Sequence, residues 1–202
     1  MSDAIEHVRP ASPGDAAAVA AIYAPFVTDT AISFEADPPD AAEMAVRLAA
    51  ILRRLPWLVY ERDGEVLGYA YASAHRERPA YRWSVDTAVY VAAGAHRQGV
   101  GRSLYAVLLE VLRLQGFHNA YGGVTLPNPG SVGLHEAMGF VAIGVYRRVG
   151  FKLGAWRDVG WWGLSLGPRP DDPAPPADFD AGMVVAAREA ARAGFPARKD
   201  LR

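Results

Sequence analysis

The amino-acid sequence predicts an α+β fold built on a mixed β-sheet. Two apolar runs that meet at Asp63 and Gly64 indicate a β-hairpin, because this dipeptide favours a tight turn between antiparallel strands. A further strand-like run at about 83–91 leads through a glycine-containing turn into a stretch of helical periodicity. With the remaining segments, the predicted order is β-α-α-β-β-β-α-β-α-β-β, which is typical of an α+β domain.

The first half of the chain supplies one strand, two helices and the hairpin. A short strand is expected at 7–11, and Ser12 is placed to cap the helix that follows it. The loop "ISFEADPPD" separates this helix from a second, alanine-rich one at about 40–54, which ends before Pro56. The hairpin follows at 57–74.

The second half begins with the helix after the glycine turn, which runs to about residue 115. Apolar residues recur on it at helical spacing and define the face expected to be buried: Val100, Leu104, Val107, Leu108 and Val111. A strand at 119–126 follows, and then a short helix that begins with Asn128 as its N-cap. Two last strands, at about 140–149 and 155–166, complete the sheet.

The composition changes after residue 167, which divides the chain into two predicted parts. Residues 1–167 form the α+β domain, and residues 168–202 form a proline-rich linker and C-terminal extension. The end of this extension could form one amphipathic helix, and we expect it to be a peripheral or poorly ordered extension.

Bulk properties exclude several classes of protein. The formal net charge of −1 offers no basic surface for nucleic acid, and no apolar run is long enough to span a membrane. The absence of cysteine excludes disulfides and thiolate chemistry, and no histidine pair has metal-ligand spacing. No secretion signal is recognised at the N-terminus, so we expect a cytoplasmic protein. Because cysteine is absent and the histidines lack ligand spacing, we expect no metal site.

The turn "HRQGVGRSLY" at 96–105 places Gly99 and Gly101 where a strand ends and a helix begins. Backbone N–H groups at such a helix N-terminus form an anion site, although a flexible turn is the simpler interpretation. The spacing excludes two phosphate-binding motifs. A dinucleotide fingerprint requires glycine where Leu104 stands, and a GxxxxGK[ST] loop starting at Gly94 lacks its lysine and hydroxyl residue.

The turn resembles the pyrophosphate-binding motif of the GNAT acyltransferases, Q/R-x-x-G-x-G/A, with His96 in place of the first residue. The wider resemblance covers about residues 7–166 and is closest to the phosphinothricin N-acetyltransferase group. Its motifs occur in order as "SFE", "PAYRWSVDTAVYV", "HRQGVGRSLY", "QGF", "TLPNPGSVGLHEAMGF" and "GFKLGAWRDVGWW". The resemblance implies a mostly antiparallel central sheet flanked by helices, acetyl-CoA as cofactor, a homodimer, and direct acetyl transfer in a ternary complex.

Two residues are predicted to be catalytic. Asp86 lies within a predicted strand, where aspartate is uncommon, so it is either part of a structural ion pair or functional. The resemblance implies a general base at this position, where the family commonly has glutamate. His135 lies on the short helix, and the resemblance implies acid/base chemistry for it, whereas the simpler interpretation is a packing histidine. The two are assigned as an acid/base pair with their division of labour left open.

The resemblance also implies a cofactor site, and an acceptor site follows from Phe34, through the resemblance, and from the charged and aromatic segment "HRERPAYRW". The cofactor residues are Val89, Val91, His96, Arg97, Gln98, Gly99, Val100, Gly101, Arg102, Asn128 and Ser131, with a main-chain N–H near Val89 stabilising the thioester oxygen. The acceptor residues are Phe34, Arg76, Arg78, Tyr81 and Trp83, whose arginines are either a clamp for an anionic head group or part of a solvated loop.

The predicted function is therefore acetyl-CoA-dependent acetylation of the α-amine of a small amino-acid analogue such as phosphinothricin or methionine sulfoximine. Two alternatives remain: a GNAT enzyme for another amine, such as a protein N-terminus or a polyamine, and a non-catalytic acyl-CoA-binding module. Arg76 and Arg78 disfavour a polycationic acceptor, and intact Asp86 and His135 disfavour the module.

Overall fold

The computed structural model describes residues 2–193, which form a seven-stranded sheet between two groups of helices. The strands are β1 (Val8–Pro10), β2 (Trp57–Arg62), β3 (Glu65–Ala74), β4 (Ser84–Val91), β5 (Asn119–Leu126), β6 (Val141–Lys152) and β7 (Ala155–Ser165). The helices are α1 (Ser2–Glu6), α2 (Ala16–Thr28), α3 (Ala41–Leu52), α4 (Val100–Gln115), α5 (Pro129–Ala137) and α6 (Met183–Ala193).

The sheet order is β1-β2-β3-β4-β5-β7-β6, in which β4 and β5 are parallel and the other neighbours are antiparallel. This confirms the predicted mixed, mostly antiparallel sheet. The hairpin turn between β2 and β3 is also as predicted, because Asp63 and Gly64 both have positive φ, at 54° and 79°, as a type I′ turn requires.

The sheet separates two apolar cores. One lies under α2 and α3 and includes Val19, Leu48 and Tyr69. The other lies under α1, α4 and α6 and includes Leu104 and Leu108. Because successive side chains of a strand alternate between faces, β2 and β3 contribute to both cores.

Two features of the N-terminal region differ from the prediction. The short helix α1 was not expected, and α2 begins at Ala16 because Pro13–Asp15 form a 3-10 turn. The Asp15 carboxylate accepts hydrogen bonds from both terminal nitrogens of Arg9 and from the N–H and hydroxyl of Ser12. The Arg9 guanidinium is the main reason that the pKa of Asp15 falls to about 2.

The C-terminal segment packs against the domain rather than lying at its periphery, which corrects the expectation. α6 contacts α4, and its Val184, Ala187 and Ala191 are buried in the core. The Gln115 side-chain amide donates to the main-chain oxygens of Arg54 and Ala177, and so ties the proline-rich stretch to the end of α4. The part of the predicted extension at 194–202 lies outside the described residues.

The edge strand β6 is exposed along most of its length, including large apolar side chains. They are Val141, Ile143, Val145, Tyr146, Val149 and Phe151, with Trp156 of β7 beside them. Within residues 2–193, no helix has the length and hydropathy needed to cross a bilayer.

Candidate active site

The parallel strands β4 and β5 separate part-way along their length. Their pairing ends at Asp86 and Tyr121, although β4 continues to Val91 and β5 to Leu126. The two strands therefore leave a split in the middle of the sheet, and the main-chain polar groups facing it have no partner strand.

The orientation of β4 shows which of its groups face the split. Ala92 donates its N–H to Leu67 in the direction of β3. Since alternate residues of a paired strand direct their N–H and C=O groups to opposite neighbours, Val89 and Val91 direct theirs into the split. The oxygen of Val91 accepts a hydrogen bond from His96 Nε2 at 3.0 Å, so the turn after β4 folds back over this end of the split.

The glycine turn forms the start of α4 beside the split. Gly99 is the N-cap with φ of 83°, a left-handed conformation that costs other residues about 1–2 kcal/mol. The first N–H groups of α4 have no partner within the helix, and they carry the positive end of its dipole. A Cβ at Gly101 would lie 3.2 Å from a terminal methyl of Leu134 on α5.

A cleft of about 540 Å³ extends from the split across the first turns of α4 and α5. Within residues 2–193, the predicted cofactor residues that line it are Val89, Val91, His96, Arg97, Gly99, Val100, Gly101, Arg102, Asn128 and Ser131. Phe26 and Ile32 form part of its apolar wall. The structure therefore brings together nearly all of the residues that the sequence assigned to one ligand.

Gln98 lies outside this cleft and has a structural contact instead. Its side-chain amide donates to the oxygen of Gly94 at 2.7 Å and accepts from Arg62 at 2.9 Å, which braces the turn from behind. Asn128 faces the cleft while its Oδ1 accepts from the N–H of Ser131, so it caps α5 as expected.

Asp86 pairs with a histidine that the sequence analysis did not select. Asp86 Oδ1 lies 2.7 Å from Nδ1 of His75, the residue that follows β3. The Asp86 side chain is 28% exposed and that of His75 is 15% exposed. Burial raises the pKa of Asp86, and the hydrogen bond from His75 opposes this effect in part.

His135 is 3% exposed, and both of its ring nitrogens are engaged. Nδ1 donates to the main-chain oxygen of Ser131 at 2.8 Å, which leaves Nε2 to accept from the Tyr105 hydroxyl at 3.1 Å. Burial lowers the pKa of His135 and so favours the neutral imidazole. The ring packs on Gly122, the first residue of β5 beyond the paired segment, where a side chain would overlap it.

Asp86 and His135 lie on opposite faces of β4. Thr87, the neighbour of Asp86, is on the face of α4, because its hydroxyl lies 3.4 Å from that of Tyr105. Asp86 consequently points to the opposite face. The structure thus places the two predicted acid/base residues on either side of the point where β4 and β5 separate, without direct contact.

The predicted acceptor residues divide into two groups. Arg76 donates to the main-chain oxygen of His75, and the exposed ring of Tyr81 meets the His75 ring edge-on at 5.8 Å, so both lie near Asp86. Arg78 is exposed and immediately precedes the 3-10 turn formed by Pro79–Tyr81. Trp83, by contrast, donates from Nε1 to the oxygen of Ala174 and so contacts the C-terminal segment.

Phe34 lies on a loop that β6 holds in place. Its ring packs directly on Gly150 of β6, where a side chain would overlap it. Lys152 donates three hydrogen bonds, at 2.6–2.7 Å, to the oxygens of Val27, Ser33 and Glu35 around this loop. Neither Lys152 nor His75 was selected from the sequence, because both contacts join segments whose approach depends on strand register.

The comparisons with known proteins agree with this geometry. The profile of the family described as "Acetyltransferase (GNAT) domain" matches residues 8–161. The chain is 40% identical over 169 residues to a phosphinothricin N-acetyltransferase from Streptomyces viridochromogenes, covering 84% of this chain and 90% of that protein. It is 45% identical over 154 residues to a protein of the same name from Alcaligenes faecalis, covering 75% and 78%. A crystal structure of a GNAT superfamily phosphinothricin acetyltransferase from Sinorhizobium meliloti, in complex with AcCoA, has a TM-score of 0.80 at 34% identity and covers 83% and 92%.

Proposed function

This chain belongs to the GNAT acetyltransferase family and is an acetyl-CoA-dependent N-acetyltransferase, and we propose that it acetylates the α-amine of a small amino-acid analogue. The observation that carries this proposal is the split between β4 and β5, with Asp86 at its closed end and the glycine turn at its open end. Phosphinothricin is the first candidate acceptor, since the relatives reported above carry it in their names. Methionine sulfoximine is the second, since a 34% identical relative from Pseudomonas paraeruginosa is named L-methionine sulfoximine/L-methionine sulfone acetyltransferase.

The residues around the glycine turn fit the diphosphate of the cofactor. Gly99 and Gly101 leave main-chain N–H groups accessible at the start of α4, and Arg97 and Arg102 add positive charge at the same rim. When bound, acetyl-CoA supplies an acetyl thioester. The free N–H of Val89 is assigned to the thioester oxygen, because it points into the split and can stabilise the charge that develops there.

Asp86 is proposed to belong to the general base that removes the proton from the acceptor ammonium. Its carboxylate stands at the end of the split on the face of α2. Arg76 lies close enough to Asp86 to favour its ionised form, and the anionic head group of an amino-acid analogue would find a cation there. The positive charge of Arg76 therefore favours an acceptor with an anionic group over a polyamine.

His135 is proposed as the second acid/base residue, acting from the opposite face. As a neutral imidazole, it can accept a proton at Nε2 when the Tyr105 hydroxyl turns to Thr87. The proton would come from the attacking nitrogen, and the imidazolium would then return it to the departing thiolate. This division of labour requires direct transfer in a ternary complex, without an acyl-enzyme.

The test is an assay of thiol release from acetyl-CoA with phosphinothricin, methionine sulfoximine, a polyamine and a short peptide as acceptors. Turnover with the amino-acid analogues is expected. Asp86→Asn and His135→Ala should each lower kcat by about 100-fold or more while acetyl-CoA still binds in calorimetry. Near-normal turnover in both variants would refute the assignment, and turnover only with the polyamine or the peptide would refute the substrate class.

We further propose a cytoplasmic homodimer that does not act on nucleic acid. The net charge of −1 offers no extended basic surface for nucleic acid, and the chain has no cysteine. The exposed edge strand β6 carries a run of apolar side chains that a second copy of the chain would cover. Ile143→Lys on β6 should convert the dimer to a monomer in light scattering, whereas Val46→Lys on the exposed face of α3 should not.

A further inference from the structure

The hydrogen bond between His75 and Asp86 defines the proton positions on the His75 ring. Nδ1 faces a carboxylate oxygen at 2.7 Å, and an ionised carboxylate can only accept, so Nδ1 carries a proton. In the neutral imidazole, Nε2 is then the basic nitrogen. None of the hydrogen bonds in the described part of the chain uses Nε2 of His75.

The His75 ring is held at the closed end of the split. It packs against Tyr121 with ring centroids 4.5 Å apart, and Tyr121 is the residue of β5 that pairs with Asp86 at the last parallel position. Tyr81 also contacts the ring, edge-on at 5.8 Å. Two aromatic contacts and one hydrogen bond therefore restrict the orientation of the imidazole before any ligand arrives.

From this geometry we propose that Nε2 of His75 is the atom that takes the proton from the acceptor ammonium, and that Asp86 acts by orienting the imidazole. This inference rests on the proposed function and names the proton acceptor within it. A proton on the ammonium nitrogen moves to Nε2, and the resulting imidazolium is stabilised by the Asp86 carboxylate. The freed amine forms a C–N bond to the acetyl carbon as the C–S bond breaks with its electron pair on sulfur. The remaining extra proton on nitrogen passes through His135 to the thiolate, and His75 later releases its own proton to water.

The alternative is that His75 only supports Asp86, with a carboxylate oxygen taking the proton. His75→Asn separates the two, because the asparagine amide can donate to Asp86 as Nδ1–H does but has no basic nitrogen. We expect His75→Asn to lower kcat by about 100-fold, the usual contribution of a general base, with little change in the affinity for acetyl-CoA. His118→Asn, outside the cleft, is the matched control and should retain full activity.

A kcat of His75→Asn within about threefold of that of the original protein would overturn the inference, because an amide without a basic nitrogen would then support catalysis as well as the imidazole does. Melting temperature and acetyl-CoA calorimetry on each variant separate loss of chemistry from loss of structure. If the unmodified protein binds acetyl-CoA but acetylates none of the four acceptors, the proposed function fails and this inference fails with it.

A second measurement does not depend on turnover. With ¹⁵N-labelled histidine, the nitrogen resonances of His75 should report the tautomer protonated on Nδ1, assigned by comparison with His75→Asn. In Asp86→Ala this preference should disappear, because the acceptor for Nδ1–H is gone. Observation of the opposite tautomer in the unmodified protein would overturn the inference even if His75→Asn were inactive.

Discussion

The ammonium of Lys152 on β6 donates a hydrogen bond of 2.7 Å to the main-chain oxygen of Ser33, 119 residues earlier in the chain. Two further bonds, to the oxygens of Val27 and Glu35, use the remaining donors of the ammonium. The loop between α2 and α3, which carries Phe34 and Ile32, is thus fastened to the sheet at the side of the cleft.

Lys152→Met should therefore impair acceptor binding more than cofactor binding. The methionine keeps the apolar stem but removes three charge-assisted hydrogen bonds, so the loop with Phe34 loses its anchor. We expect the KM for the acceptor to rise about tenfold, equivalent to about 1.4 kcal/mol. Arg147→Met is the control, because it removes an exposed ion pair between Arg147 of β6 and Asp158 of β7 and should have little effect. Equal kinetics for the two variants would contradict this role.

The two glycines of the turn should respond differently to alanine. Gly99→Ala forces a Cβ into the left-handed conformation at a cost of about 1–2 kcal/mol, which should distort the turn and weaken acetyl-CoA binding about tenfold. Gly101→Ala makes its one close contact with the flexible end of Leu134, meets Val89 and Val91 at ordinary distances, and improves helix propensity, so binding should change by about threefold or less. Calorimetric titration of each variant with acetyl-CoA measures the two affinities. A larger loss of affinity in Gly101→Ala than in Gly99→Ala would disprove the predicted roles.

The buried His135 should make stability depend on pH. Burial lowers its pKa in the folded state, whereas the unfolded chain binds a proton near the ordinary value of about 6.5. The unfolded state therefore binds more protons below that value, and the free energy of unfolding should fall as the pH decreases through it, by at most about 1.4 kcal/mol per pH unit.

Urea unfolding between pH 5 and 8 measures this effect. The same series on His135→Gln provides the comparison, since glutamine does not titrate and the difference between the two curves isolates the histidine. The difference should decrease as the pH is lowered from about 7. Parallel curves would show that His135 has the same proton affinity in both states.

Packing of α6 can be tested with two adjacent valines. Val184 is 1% exposed and belongs to the core, whereas Val185 is 59% exposed. Val184→Asp would bury an unpaired carboxylate and should lower the free energy of unfolding by about 3 kcal/mol or more. Val185→Asp should change it by about 0.5 kcal/mol or less. Similar melting temperatures for the two variants would mean that α6 does not contribute to the core.

The sequence alone identified those features that depend on neighbouring residues. Asp63 and Gly64 encode the hairpin turn through their own φ preferences, and Asn128 with Pro129 encodes the start of α5 through a cap and a missing N–H. The glycine turn belongs to the same class, because its anion site is formed by consecutive main-chain groups at one helix terminus.

Only the tertiary structure decided which side chains meet. His75 reaches Asp86 because β3 and β4 pair in the register that opposes Ser73 to Asp86, and a shift of one residue would turn Asp86 to the other face. Trp83, expected beside the acceptor, contacts the C-terminal segment, whose path follows from packing of α6 on α4. Strand register and helix packing are set by the burial of whole elements on both faces of the sheet, and no short stretch of sequence contains that information.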